Sequence, residues 1–172
     1  VRTYCSTNAL LLDKKPVAWS HEQAAAWPVT YTTTDEAFTD MAKLKKGDRV
    51  LIHAATGGVG IIAVQYAHRV GAVVYATAGK DEKQQFLRDM GVKYITSTRD
   101  GAQFEADMAK FCKEDGVTGV DVVLNSLSHD DYIPRSLKYL KKKGRFMEIG
   151  KRNVFTKEQM TAERPDVYYE LL

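Results

Sequence analysis

The sequence has little of what marks several common protein classes. Its two cysteines, Cys5 and Cys112, lie far apart, and neither belongs to a C-x-x-C pair or a Cys/His cluster. This argues against a metal site and a structural disulfide, and it fits a reducing, cytoplasmic setting. No apolar run reaches the roughly 18 residues of a membrane span. The opening VRTYCSTNALLLDKK lacks a basic segment followed by a long apolar core, so no signal peptide is expected. Charge of one sign is also missing: 25 Lys+Arg stand against 22 Asp+Glu, too even for a nucleic-acid-binding surface. There are no internal repeats and no low-complexity tracts. At 172 residues the chain is long enough for one well-buried domain, or one domain with a small appendage.

What is present is a regular alternation from residue 49 onward. RVLIHAA is a short strand-like run ended by Gly57-Gly58, and VGIIAVQYAHRVG then carries apolar residues at helical spacing and stops at Gly71, a plausible C′ glycine. AVVYATAG reads as a second strand, KDEKQQFLRDMG as a helix closed by Gly91, and VKYITST as a third strand. DGAQFEADMAKFCKEDG reads as an amphipathic helix and GVDVVLNSL as a fourth strand. SHDDYIPRSLKYLKKKG looks helical but is interrupted by Pro134, and GRFMEIGK is a fifth strand. Such alternation predicts an α/β fold, a doubly wound parallel sheet of Rossmann type over residues 35–150. The flanks do not fit the repeat. SHEQAAAW reads as a short helix with Ser20 as N-cap and Gln23 at the capping-box position. Residues 1–34 and 151–172 are read as parts of a neighbouring domain, with the final VYYELL strand-like.

The turn after the first strand carries chemistry. A strand must turn sharply, admit phosphate oxygens to its backbone, and open a helix whose free N–H groups face the anion. In a G-x-G-x-x-G reading the three positions are Ala55, Gly57 and Gly60. Ala55 can replace the turn glycine if its φ stays negative. Gly57 and Gly58, between Thr56 and Val59, leave room for a pyrophosphate, and Gly60 lets the helix pack closely. The end of the second strand selects the nucleotide. Where an NAD site places an acid for the ribose 2′-OH, this chain has Thr77-Ala78-Gly79, followed by Lys80 and Lys83 one helical turn apart. Those lysines suit a 2′-phosphate, so the expected cofactor is NADPH.

Other residues have plainer readings. His53, inside the first strand, is read as a satisfied core histidine. SHDD reads as a helix N-terminus capped by Ser128 and acids, and Lys138 with Lys141-Lys142-Lys143 as a solvated helix C-terminus.

AATGGVG, VDVVLNSL and GRFMEIGK together resemble the enoyl reductase domain of type I polyketide synthases and animal-type fatty acid synthases, in the zinc-free branch of the medium-chain dehydrogenases/reductases. The glycine turn is shared widely; Asn125-Ser126-Leu127 with Glu148-Ile149-Gly150-Lys151 is more specific. The resemblance implies that 1–34 is the tail and crossing helix of a GroES-like substrate domain, and that 151–172 returns to it. It implies that Thr33 lies near the nicotinamide amide, although Asp35 and Glu36 stand where the family has aromatic residues. Thr56, Gly57, Gly58, Val59 and Gly60 would hold the pyrophosphate. Ala78, Gly79, Lys80 and Lys83 would face the 2′-phosphate, and Arg99 the adenosine end. Asn125, Ser126, Leu127 and Gly150 would line the nicotinamide ribose. Lys151 would be the catalytic cation near the thioester oxygen or in proton delivery.

The implied activity is NADPH-dependent reduction of the α,β double bond of an acyl chain on a phosphopantetheine carrier domain, beside other domains of a multidomain synthase. No metal, nucleic acid or membrane partner is expected, and there is room for a homodimer of the full-length protein. Two other readings stay open: a stand-alone quinone or alkenal reductase of the same superfamily, and a non-catalytic NADPH-binding module.

Overall fold

In the computed structural model, residues 6–129 and 131–172 are described. A helix α1 (His21–Asp35) runs directly into a π-helical stretch (Glu36–Met41). Strands β1 (Arg49–Ile52), β2 (Val73–Thr77), β3 (Tyr94–Thr96), β4 (Val120–Asn125), β5 (Leu140–Glu148) and β6 (Tyr168–Leu171) follow. They alternate with α2 (Gly58–Val70), α3 (Asp81–Asp89), α4 (Gly101–Asp115), α5 (Tyr132–Lys138) and α6 (Lys157–Glu163). The strands form one six-stranded sheet in the order β3-β2-β1-β4-β5-β6, and every neighbouring pair is parallel.

Strand residues alternate between two cores because successive side chains point to opposite faces. Val50, Ile52, Val74, Ala76, Val122, Leu124 and Met147 face one core, which α2 closes with Ala63, Val64 and Ala67 and α3 with Leu87. Leu51, Tyr75, Val123 and Phe146 face the other, closed by Phe104 and Met108 of α4, Leu137 of α5 and Met160 of α6. Covering both faces is what a parallel sheet requires. Helix α2 ends at Gly71 with φ 83°, a left-handed cap that a residue with Cβ adopts only at a cost.

Several expectations change at the ends. The helix opening at Ser20 keeps its capping box with Gln23 but runs to Asp35 instead of stopping near Trp27. Pro28 removes one backbone N–H from the helix. The hydroxyls of Thr30, Thr32 and Thr34 each donate to the carbonyl four residues back, and Trp27 stacks on Tyr31 at 4.1 Å across the proline. The helix expected over 128–144 shrinks to α5, with Pro134 in its first turn, where a missing N–H is tolerated. It follows Asp131, whose side chain does not cap it. Lys141-Lys142-Lys143 therefore belong to β5, and Lys141 reaches Asp121 on β4 at 2.9 Å. Residues 157–171 contribute α6 and the edge strand β6 to the same sheet, pairing Phe146 with Tyr169. Cys5 and Asp130 lie outside the described residues, and Cys112 is a buried free thiol. Among the described residues no helix is long and apolar enough to cross a membrane.

His53, one residue beyond β1, is a core histidine, as expected. Thr77 Oγ1 accepts the Ala54 N–H at 2.9 Å and lies 3.3 Å from His53 Nδ1. Ser136 Oγ lies 2.7 Å from His53 Nε2 and donates to the Tyr132 carbonyl at 2.6 Å. Because Ser136 uses its own proton on Tyr132, it can only accept from the ring. Nε2 therefore carries the hydrogen, and Nδ1 accepts from Thr77. Burial pushes the His53 pKa down to about 3. The unfolded chain binds this proton near 6.5 and the folded chain does not, so stability present above pH 6.5 falls as pH drops, by about 1.4 kcal/mol per unit. We predict that between pH 6.5 and 5 this one group removes roughly 2 kcal/mol, measured by urea unfolding as a steeper pH dependence than that of His53→Gln. A His53 ring NMR signal that titrates above pH 5 would contradict it.

Candidate functional site

The strand order reverses direction between β1 and β4, which opens a crevice at the carboxyl edge of the sheet. The glycine turn sits at its centre. Ala54 takes the left-handed conformation (φ 47°), which costs about 1–2 kcal/mol for a residue with Cβ. Ala55, the position aligned with a turn glycine, keeps a negative φ and is fully buried. The Gly57 N–H donates to the Ala54 carbonyl at 2.8 Å and the Ala55 N–H to the Thr77 carbonyl at 2.9 Å, which ties the turn to itself and to β2.

Helix α2 starts at Gly58 with Gly57 as N-cap and receives no side-chain cap. By contrast Ser20, Asp100 and Thr156 all cap their helices with oxygen. The first N–H groups of α2 are thus left to an external acceptor. Gly60 sets how closely the helix approaches: a Cβ there would lie 2.6 Å from both the Ala54 oxygen and the Ala55 Cα. Gly58 packs against α1, where a Cβ would meet Thr30 Cγ2 at 3.1 Å.

On one side of the turn, β2 ends at Thr77 and the chain passes through buried Ala78 to Gly79. Thr98 and Arg99 fold over Gly79 so closely that a Cβ would meet Thr98 Oγ1 at 2.6 Å and Arg99 Nε at 2.9 Å. Lys80 is the N-cap of α3 and Lys83 lies in its first turn; both are exposed, with no ion pair among the described residues. No carboxylate ends β2 itself.

On the other side, Asn125 closes β4 fully buried. Its Nδ2 donates to Glu148 Oε2 at 2.6 Å, and its Oδ1 accepts from the Leu127 N–H at 3.2 Å. Its side chain is thus directed to the sheet rather than to the crevice. Ser126 Oγ donates to the His53 carbonyl. Glu148, buried at the end of β5, accepts the Gly150 N–H at 2.6 Å with its other oxygen. Burial raises the Glu148 pKa, against the N–H donors of Asn125, Gly150 and Ile149 that favour the ionised form. Beyond Gly150, Lys151 donates to the Leu172 carbonyl. Thr33, Glu36, Val59, Ile149, Lys151 and Leu172 line one cleft of about 220 Å³. Thr33 and Lys151, 118 positions apart in sequence, are thereby brought to the same space as the glycine turn.

Neither Glu148 nor Glu36 is marked as a site residue by the sequence; Glu36, an acid suited to a helix N-terminus, instead stands where α1 passes into its π-helical stretch. Glu148 stood within the EIGK motif, but its clamp on Asn125 depends on the pairing of β4 with β5. Glu36 carried no signal beyond its odd place in the resemblance. The glycine turn has the shape a dinucleotide needs: uncapped N–H groups, and a helix approach that only Gly60 allows. No group of three or more His, Cys, Asp or Glu side chains able to hold a metal occurs among the described residues, so these residues do not fit a zinc centre.

Comparison with known proteins bears on the family and the fold. A family model described as zinc-binding dehydrogenase matches residues 58–168. A spectinabilin polyketide synthase system protein of Streptomyces orinoci is 44% identical over 92% of the chain, and the chain spans 7% of that protein. For the mycoketide-CoA synthase of Mycobacterium tuberculosis the values are 40%, 97% and 4%. The chain is therefore a small share of the curated relatives it matches. Among solved structures, the CurK enoyl reductase aligns with a TM-score of 0.84 at 44% identity, covering 92% of this chain and 46% of that one. The nucleotide-binding subdomain of the enoylreductase domain of PpsC from Mycobacterium tuberculosis aligns at 0.73 and 36%, covering 84% and 79%.

Gly60→Ala is expected to force α2 away from β1 at a cost of about 2–3 kcal/mol, lowering the melting temperature by roughly 4–12 °C. Gly58→Ala, which meets only a threonine methyl, should lower it less. Equal melting temperatures for the two variants would contradict the packing argument.

Proposed function

The chain belongs to the zinc-binding dehydrogenase family, with the nucleotide-binding subdomains of polyketide synthase enoyl reductases, and from that premise we propose that it is the NADPH-binding part of an enoyl-thioester reductase. Its substrate would be an acyl chain carried on a phosphopantetheine arm within a cytoplasmic multidomain synthase. The observation that carries this reading is the shared cleft of Thr33, Val59 and Lys151 beside the uncapped glycine turn.

The residues divide by position along the crevice. The N–H groups of Gly58, Val59 and Gly60 would receive the pyrophosphate, with Thr56 and Gly57 forming the approach. Lys80 and Lys83, exposed and without an ion pair among the described residues, would meet the 2′-phosphate as point charges, and Arg99, laid over Gly79, would cover the adenosine end. Asn125 would act through its backbone and through its grip on Glu148, while Ser126, Leu127 and Gly150 would border the nicotinamide ribose. When bound, the nicotinamide supplies a hydride to the β-carbon of the unsaturated thioester. Lys151 would place an ammonium where negative charge develops on the thioester oxygen, or deliver a proton to the α-carbon.

Each lysine removed (Lys80→Ala, Lys83→Ala) should weaken NADPH roughly three- to tenfold and NADH less than twofold, by calorimetric titration. Equal affinity of the unsubstituted chain for NADPH and NADH would refute the 2′-phosphate assignment. In the full-length protein Lys151→Ala should lower turnover at least tenfold with cofactor affinity within about twofold; unchanged turnover would remove Lys151 from the chemistry.

A further inference from the structure

Glu36 lies one helical turn beyond Thr33, at the point where α1 passes into its π-helical stretch. Local π geometry within an α-helix recurs at functional sites because it re-aims side chains. The Glu36 N–H is bonded to the carbonyls of Thr32 and Thr33, while its exposed carboxylate has no hydrogen bond or ion pair among the described residues. The side chain lines the 220 Å³ cleft with Thr33, Val59, Ile149, Lys151 and Leu172. Glu36 and Lys151 are therefore the two charged side chains of that cleft, and the Lys151 ammonium is already engaged by the Leu172 carbonyl. The remaining walls, Val59, Ile149 and Leu172, are apolar and reduce screening on that side.

Position along the crevice says which part of a dinucleotide would sit here. The glycine turn marks the pyrophosphate, and Gly79 with Arg99 lies on the β2–β3 side. The cleft lies on the β4–β5 side, at the opposite end of the ligand. If the nucleotide reading above is right, and this inference rests on it, the nicotinamide ring faces Glu36. That ring is a cation when oxidised and neutral when reduced. A carboxylate beside it attracts one redox form and is nearly indifferent to the other.

We propose that Glu36 sets the relative affinity for the two redox forms of the cofactor, holding the oxidised form more tightly and so favouring departure of hydride from the reduced form. This is an electrostatic role exerted directly on the cofactor, distinct from that of Lys151 on the substrate side.

The test is equilibrium binding of NADP⁺ and of NADPH, titrated separately into the 172-residue chain and three variants. Glu36→Gln keeps the volume and removes the charge; Glu36→Asp keeps the charge. Asp40→Asn is the control, since Asp40 shares the π-helical stretch but lines a separate depression with Arg145 and Tyr168. Glu36→Gln should weaken NADP⁺ roughly three- to tenfold and NADPH less than twofold. Glu36→Asp should recover most of the ratio, and Asp40→Asn should leave it unchanged. Equal shifts for both forms in Glu36→Gln, or no shift, would overturn the role of Glu36. Failure of the unsubstituted chain to bind either form would instead overturn the nucleotide reading beneath it.

Discussion

The contact between Gly60 and the backbone of Ala54–Ala55 is the constraint on which the site depends. With no Cβ at Gly60, α2 lies directly on the turn that ends β1, and its N-terminal N–H groups come to rest over the carboxyl edge of the sheet. That proximity has a local cost, a left-handed Ala54 at about 1–2 kcal/mol. Neighbouring bonds hold the turn in that shape: Thr77 Oγ1 takes the Ala54 N–H, the Thr77 carbonyl takes the Ala55 N–H, and the His53 ring bridges Thr77 to Ser136. The strained residue is thus overdetermined by a buried polar network that spans β1, β2 and α5.

The two edges of the sheet are treated differently. At the amino edge the charges are paired: Arg49 with Asp115, Arg145 with Asp48, and Lys141 with Asp121. Tyr75 also donates to Asp115, so α4 is tied to β2 as well as to β1. At the carboxyl edge Lys80 and Lys83 have no acidic partner among the described residues, and α2 has no side-chain cap. Satisfied charges at one end support the fold, while unsatisfied donors and cations at the other are available to an anionic ligand. The buried Glu148 at the carboxyl edge is used differently: its two oxygens join Asn125 of β4 to Gly150 beyond β5 inside the protein.

Much of this was legible in the sequence because local rules and tertiary packing agree over residues 49–127. Gly60 is required by its close approach to the turn and Gly71 by its left-handed backbone, and the strands show their runs plainly because both faces are buried. The capping box of Ser20 and Gln23 was equally readable. Legibility failed where distant partners decide. Nothing within YIPRSLKYLKKKG says that Lys141 will find Asp121 and begin a strand; β4 supplies that information. SHEQAAAW reads as a short helix, yet the threonine hydroxyls and the Trp27–Tyr31 stack accompany α1 past Pro28 to Asp35. The clamp of Glu148 on Asn125, and the meeting of Glu36 and Thr33 with Lys151, exist only once β5 and α1 are placed.

In the proposed function one anionic ligand lies along the carboxyl edge, from Arg99 across the glycine turn to Lys151. Amide chemical-shift mapping on titration with NADPH tests it most directly. Large shifts are expected at Gly58, Val59, Gly60, Gly79, Lys80, Ser126 and Gly150, with Gly47, Gly116 and Gly144 at the amino edge unmoved. Shifts concentrated at the amino edge, or confined to the lysines of α3 with the glycine turn silent, would contradict it.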